Sequence, residues 1–129
     1  MTTRVLMVDD EIDAQELFRQ NFRREIRKGV YQFDFAQSGE QALEILHDGT
    51  PPEILVLLSD INMPGMSGME LLAEVRKHWP EVGVFMITAY GDDATERKAG
   101  ELGAERFFAK PIDFPQLKQD LARAIGEAA

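Results

Sequence analysis

The stretch ILVLLSDINMPG, residues 54–65, decides the reading of this chain. Five consecutive apolar residues are too few for a buried helix and suit a strand covered on both faces. The run ends abruptly in Ser59-Asp60, and a Pro-Gly pair follows at 64–65. A strand that stops at a carboxylate and a turn belongs to a sheet whose chemistry lies at its carboxyl ends. Two more short apolar runs behave alike. Residues 5–8 end in Asp9-Asp10, and residues 84–87 end in Thr88-Ala89. Tyr31, Phe33 and Phe35 alternate with Gln32 and Asp34, the pattern of an edge strand with one wet face. Residues 106–109 make a shorter fifth strand, followed by Lys110-Pro111.

Helical patterns fill the intervals. Ala14, Leu17, Phe18, Phe22 and Ile26 are read as one apolar face of a single first helix. Ser38 with Gln41 reads as a capping box opening a second helix through Leu46. Ser67 with Glu70 does the same for a third, carrying Leu72, Val75 and Trp79 and stopped by Pro80. Residues 92–103 form a fourth, poor in large apolar side chains. Phe114, Leu117, Leu121, Ala124 and Ile125 mark a fifth. Strands alternating with helices predict an α/β fold with a parallel sheet. Three buried strands between two edge strands fit a flavodoxin-like, doubly wound (βα)5 sheet of order 2-1-3-4-5. That order sets Asp9 and Asp10 beside Asp60 at the crevice between strands 1 and 3. Thr88 and Lys110 fall on the same rim.

The bulk properties narrow the function. A length of 129 residues suits one domain, with no internal repeat or linker. A net charge of −9 argues against direct nucleic-acid binding and against an anionic membrane surface. No apolar run is long enough to span a membrane, and the first residues lack a secretory pattern. With no Cys there is no disulfide framework, in keeping with a reducing, cytoplasmic setting. Converging carboxylates repel one another, and a hard divalent cation such as Mg2+ relieves this while leaving positions for water and phosphate. A hydroxyl at Thr88 and an ammonium at Lys110 would hold phosphoryl oxygens, and Pro111 suits a cis bond after the lysine.

Taken together, VLMVDDE (5–11), LLSDINMPGMSGMELL (57–72), MITAYG (86–91) and FFAKPID (107–113) resemble the response-regulator receiver family of two-component signalling. The resemblance covers nearly the whole chain. It implies that Asp60 accepts a phosphoryl group from a sensor histidine kinase or phosphotransfer protein. Asp10 would bind Mg2+ directly, Asp9 through water, and the Asn62 main-chain carbonyl would complete the protein ligands. Thr88 would be the switch hydroxyl, Lys110 the phosphate-binding lysine, and Phe107 the switch aromatic, with Tyr90 reporting beside it. The output would be the surface of the fourth helix, fifth strand and fifth helix. It would serve a separate effector or the output domain of a longer regulator, since residues 1–129 read as one receiver domain with no output domain. The role implied is a switch, catalysing only its own modification and its reversal; a weak homodimer is compatible with it. Two departures stand out. The segment before Asp60 is about two residues long for the family, an excess expected in the loop ahead of strand 3. Gln116 and Asp120 stand where the winged-helix branch carries Glu and Arg, so that branch's charged dimer face is not expected.

Competing classes fit less well. A haloacid-dehalogenase-type phosphatase needs a second Asp two residues beyond its nucleophile after strand 1, and a cap insertion. Asp9-Asp10-Glu11 and the short loops supply neither. A flavodoxin-type cofactor binder needs a Ser/Thr/Gly-rich phosphate loop where this chain is acidic. His47 and His78 read as surface residues, and Met63, Met66 and Met69 as adaptable packing. Arg23, Arg24, Arg27 and Lys28 read as a basic helix end complementing the dipole, with a partner site as the alternative.

Overall fold

The computed structural model describes residues 3–48, 54–89 and 91–125. Five parallel strands, β1 (Thr3–Val8), β2 (Tyr31–Ala36), β3 (Ile54–Asp60), β4 (Gly83–Thr88) and β5 (Arg106–Ala109), form one sheet of order β2-β1-β3-β4-β5. This is the expected order. The helices are α1 (Ile12–Asn21), α2 (Arg23–Arg27), α3 (Gly39–Asp48), α4 (Gly68–His78), α5 (Asp93–Glu101) and α6 (Phe114–Ile125).

The period-two geometry of a strand splits each apolar run between two layers. Leu6, Val8, Leu57, Val84 and Met86 face Ala42, Leu46, Leu71, Leu72 and Val75 of α3 and α4, with Ala99 of α5. Val5, Met7, Val56, Leu58, Phe85 and Ile87 face Phe18, Phe22, Leu117 and Leu121 of α1, α6 and the bend after α1. Burial on both faces is why the central strands read as unbroken apolar runs.

The single first helix is corrected. It breaks at Phe22, whose backbone (φ −103°, ψ 12°) leaves the helical region, and α2 follows as a separate five-residue helix. The cause is tertiary. Phe22 is fully buried, 4.9 Å from Phe33 and 5.9 Å from Phe18 between ring centroids. The Asn21 side-chain amide also donates to the Leu17 carbonyl at 2.9 Å. Leu17 is not a core residue; it is 48% exposed. At about 100° per residue it lies a quarter-turn round from Phe18, off the buried stripe. Gln15 is buried instead, and Ile26 is 38% exposed.

The caps follow the sequence closely. Ser67 and Glu70 form a reciprocal box, with Glu70 N–H donating to Ser67 Oγ at 3.2 Å and Ser67 N–H to Glu70 Oε1 at 2.9 Å. At α3, Gln41 N–H donates to Ser38 Oγ at 3.0 Å, but the Gln41 side chain accepts from Gln37 N–H rather than from Ser38. Strand β3 is irregular at its start. Arg4 pairs with Ile54 and Val5 with Val56, so Leu55 is a bulge. Residues 49–53, the loop expected to carry the extra length before Asp60, lie outside the described residues.

Candidate functional site

Register alone brings the acidic residues together. Val8 pairs with Ser59, so Asp9 and Asp60 emerge side by side from β1 and β3. Thr88 pairs with Ala109, so Lys110 emerges next to β4, its main-chain N–H donating to the Thr88 carbonyl at 2.8 Å. Asp9, Asp60 and Thr88 are buried, Asp60 at 6% exposure. Lys110 Nζ lies 3.3 Å from Asp9 Oδ2 and 3.5 Å from Asp60 Oδ2, bridging the two carboxylates. Its peptide bond to Pro111 is cis, as expected.

Burial pushes the Asp60 carboxyl above its ordinary range. Lys110 opposes this, Asp9 adds to it, and the Asn62 and Ile61 N–H groups pull the other way without reversing it. For Lys110, burial works against the charged form. The fields of Asp9, Asp60 and Glu11 outweigh it and hold the ammonium above its ordinary value. The site is an ammonium and a cluster of carboxylates in a half-dry crevice, with negative charge in excess.

One member was missed from sequence. Asp9, Asp10, Glu11 and Asp60 each place a carboxylate oxygen within 4.8 Å of all the others. Glu11 directly follows the acidic pair, and that adjacency was the available signal. Asp9 is held from two sides. Its Oδ1 accepts from Glu11 N–H at 2.9 Å, and its main-chain carbonyl accepts from the buried Gln15 side chain at 3.2 Å. Gly68 was missed as well. A Cβ there would stand 2.1 Å from the Asp60 carbonyl oxygen, so only glycine lets α4 begin against the end of β3.

Phe107 pairs with Met86 and is half-buried against the α3–α4–α5 layer. In strand alternation Thr88 has the parity of Met86, so Thr88 and Phe107 share that face. Gly91 lies between them; a Cβ there would be 3.6 Å from the Phe107 ring and 3.9 Å from the Thr88 methyl. Phe107 also borders a hollow of about 310 Å³ reaching to Glu96 and Gly100 of α5. Asn62 is exposed in the loop after Asp60. Tyr90 lies outside the described residues. His47 and His78 are exposed and meet the Trp79 ring at 4.8 and 5.7 Å between centroids. Met63, Met66 and Met69 pack on the core, as expected. Asp120 is buried, 3.2 Å from Gln116 Nε2 and 3.7 Å from Arg106 Nε.

A doubly wound parallel sheet with an acidic, lysine-bridged crevice at its topological switch point defines a class of α/β domains that bind their ligands outside the carboxyl ends of the strands. Within it, residues 5–122 match the family model of the response regulator receiver domain, and the chain belongs to that family. It is a receiver domain of two-component signalling, a domain that functions by phosphorylation on Asp and works with histidine kinases or phosphotransfer proteins. It is 36% identical to sporulation initiation phosphotransferase F of Bacillus subtilis, over 97% of this chain and 95% of that protein. It is 32% identical to the regulatory protein AtoC of Escherichia coli, over 95% of this chain but only 25% of that protein's length. Among solved structures it resembles the response regulator protein TrrA from Thermotoga maritima in complex with Mg(2+)-BeF. That likeness has a TM-score of 0.80 and 29% identity, over 95% of this chain and 99% of that one. Receiver domains bind Mg2+ at the acidic pocket. No described helix is long and apolar enough to cross a membrane.

Proposed function

We propose that Asp60 is the phosphoacceptor of a cytoplasmic signalling switch, and that residues 1–129 make one receiver domain. The observation that carries this is the Lys110 ammonium lying within 3.5 Å of both Asp9 and Asp60 in a crevice that buries both acids. Asp60 attacks phosphorus in line. Its carboxylate oxygen forms the new O–P bond as the donor histidine's N–P bond breaks, and the ring nitrogen keeps the electron pair. Lys110 balances charge on the phosphoryl oxygens. Asp9, Asp10, Asp60 and the Asn62 carbonyl are hard oxygen donors that would suit Mg2+, and Glu11 belongs to the same carboxylate cluster. Bound there, Mg2+ supplies charge neutralisation that lets Asp60 approach an anionic phosphoryl group.

The phosphate adds roughly two negative charges at neutral pH. Thr88 moves to meet it, and Phe107 turns into the space released. The face made by α5, β5 and α6 then changes and recruits an effector, on a separate protein or on an output domain. Tyr90 is included in this switch on sequence grounds alone.

Acetyl phosphate with Mg2+, followed by borohydride trapping and mass spectrometry, should label Asp60 and leave Asp60→Asn unlabelled. Label on another residue, or label surviving that substitution, refutes the assignment.

A further inference from the structure

The basic stretch after α1 is not absorbed by the phosphoryl site. Residues 19–28 hold Arg19, Arg23, Arg24, Arg27 and Lys28 against one acid, Glu25, in a chain of net charge −9. These cations gather beside the edge strand of the sheet, along α1, α2 and the C-cap of α2. Among the described residues no ion pair holds Arg23, Arg24, Arg27 or Lys28. Of the neighbouring acids, only Glu16 pairs with a member of the cluster, Arg19, and none pairs with Arg23, Arg24, Arg27 or Lys28. Glu25 turns to Lys118 at 3.1 Å, Glu16 pairs with Arg19, and Asp34 pairs with Arg4.

Beside this cluster lies an open groove of about 650 Å³. Its floor is apolar: Ile26, Tyr31, Phe33 and Phe35. Arg19, Arg23 and Arg27 line its walls. Arg19 places its guanidinium 4.3 Å from the centre of the Phe35 ring. The volume is of the size that takes a few side chains, within the usual range of about 300–1,000 Å³. The groove also runs along β2, the last strand on this side of the sheet. One row of β2 main-chain N–H and C=O groups points outward, and among the described residues no strand pairs with it.

We propose that this groove is a docking site for an acidic, extended peptide that carries an aromatic or branched aliphatic side chain. The apolar side chain enters between Ile26 and Phe33. Flanking carboxylates meet Arg23 and Arg27, and the peptide main chain lies along the β2 edge. Charge complementarity selects this occupant. A short acidic segment senses the local cations within a Debye length of about 8 Å, whereas a long polyanion also meets the field of the acidic remainder. The concave floor with arginines above it admits the side chains of a peptide and not a flat bilayer. The surface is separate from the α5–β5–α6 face, so an effector and this partner can bind together.

The probe is a fluorescein-labelled peptide of sequence Asp-Glu-Phe-Glu-Ile-Glu-Asp, with a lysine-for-acid version as control, read by fluorescence anisotropy. The acidic probe should bind saturably and the control should not. Arg23→Glu with Arg27→Glu, both at exposed positions, should weaken binding about tenfold or more. Asp60 labelling by acetyl phosphate should persist in this double variant, which shows that its fold is intact. Absence of saturable binding, equal binding of the lysine control, or an unchanged affinity in the double variant overturns the proposal. Binding of phosphatidylserine vesicles or of single-stranded DNA in place of the peptide, lost in the double variant, also overturns it.

Discussion

Helices α4 and α5 cover the same face of the sheet, and each follows a loop that leaves the acidic crevice. Helix α4 begins after the Asp60 loop and α5 after Thr88. Yet α4 buries Gly68, Leu71, Leu72 and Val75 and is closed by a reciprocal capping box. Helix α5 buries Ala99 alone and depends on Asp92, whose side chain accepts from Thr95 N–H at 2.7 Å. Burial of a Leu side chain stabilises by about 1.5–3 kcal/mol, while ordering a residue costs about 1–2 kcal/mol. The first helix is therefore fixed by packing and the second is close to balance. Helix α4, after the Asp60 loop, holds geometry; α5, after Thr88, has the freedom that the proposed switch at Thr88 requires.

Gly68→Ala should have one of the two largest effects. Its Cβ would meet main-chain atoms of Asp60 and Ile61 at 2.1–2.7 Å, and backbone cannot swing aside as a long side chain can. A loss of about 3 kcal/mol in urea unfolding is expected, at the upper end of overpacking costs. Wild-type stability in Gly68→Ala would mean that α4 is not clamped to β3. The paired truncations Leu72→Ala and Ala99→Gly sharpen the contrast. The first should cost about 2–5 kcal/mol as a cavity beneath α4. The second should cost about 1 kcal/mol, mostly as helix propensity. Equal losses in the two variants would erase the distinction.

The positions on which this contrast rests differ in how far sequence reveals them. Ser67 and Glu70 are three apart in front of an apolar repeat, so the box is local and readable. Asp9, Asp60, Thr88 and Lys110 are each the last or next residue of a strand, so alternation and strand order suffice to place them. Gly68 is different. Its role is a close approach between segments, which no local pattern records. The break at Phe22 is likewise set by aromatic contacts to Phe33, a residue on another strand. Leu17 leaves its expected place, and Gln15 is buried, because the buried stripe is centred on Phe18 and Phe22. The β3 bulge at Leu55 is a matter of pairing with Arg4 and Val5, invisible in either strand alone.

The smallest effect concerns the α5 cap. The bond from Thr95 N–H, joined by the Thr95 hydroxyl, holds the Asp92 carboxyl below its ordinary value of 3.8. A carboxylate lowered in the folded state stabilises fully above its unfolded value, and that contribution is lost as pH falls through the folded one. The cap should thus be intact at neutral pH and released only below about pH 4. The Thr95 amide resonance should titrate there while the Glu70 amide of α4 reports its own cap separately. A Thr95 amide that shows no titration below neutrality would remove Asp92 from the argument.

Amide hydrogen exchange, read residue by residue on the domain with and without Mg2+ and beryllofluoride, tests the central claim most directly. In the unmodified domain the amides of residues 93–101 should exchange faster than those of α4 and of the β1–β3 core. On addition of beryllofluoride, protection should change in α5 and β5 and leave α4 unaltered, and Thr88→Ala should diminish that change. If residues 93–101 are as protected as β1 and β3 at the outset, or if the change falls on α4 instead, α5 is not the element the phosphoryl site moves, and the account fails.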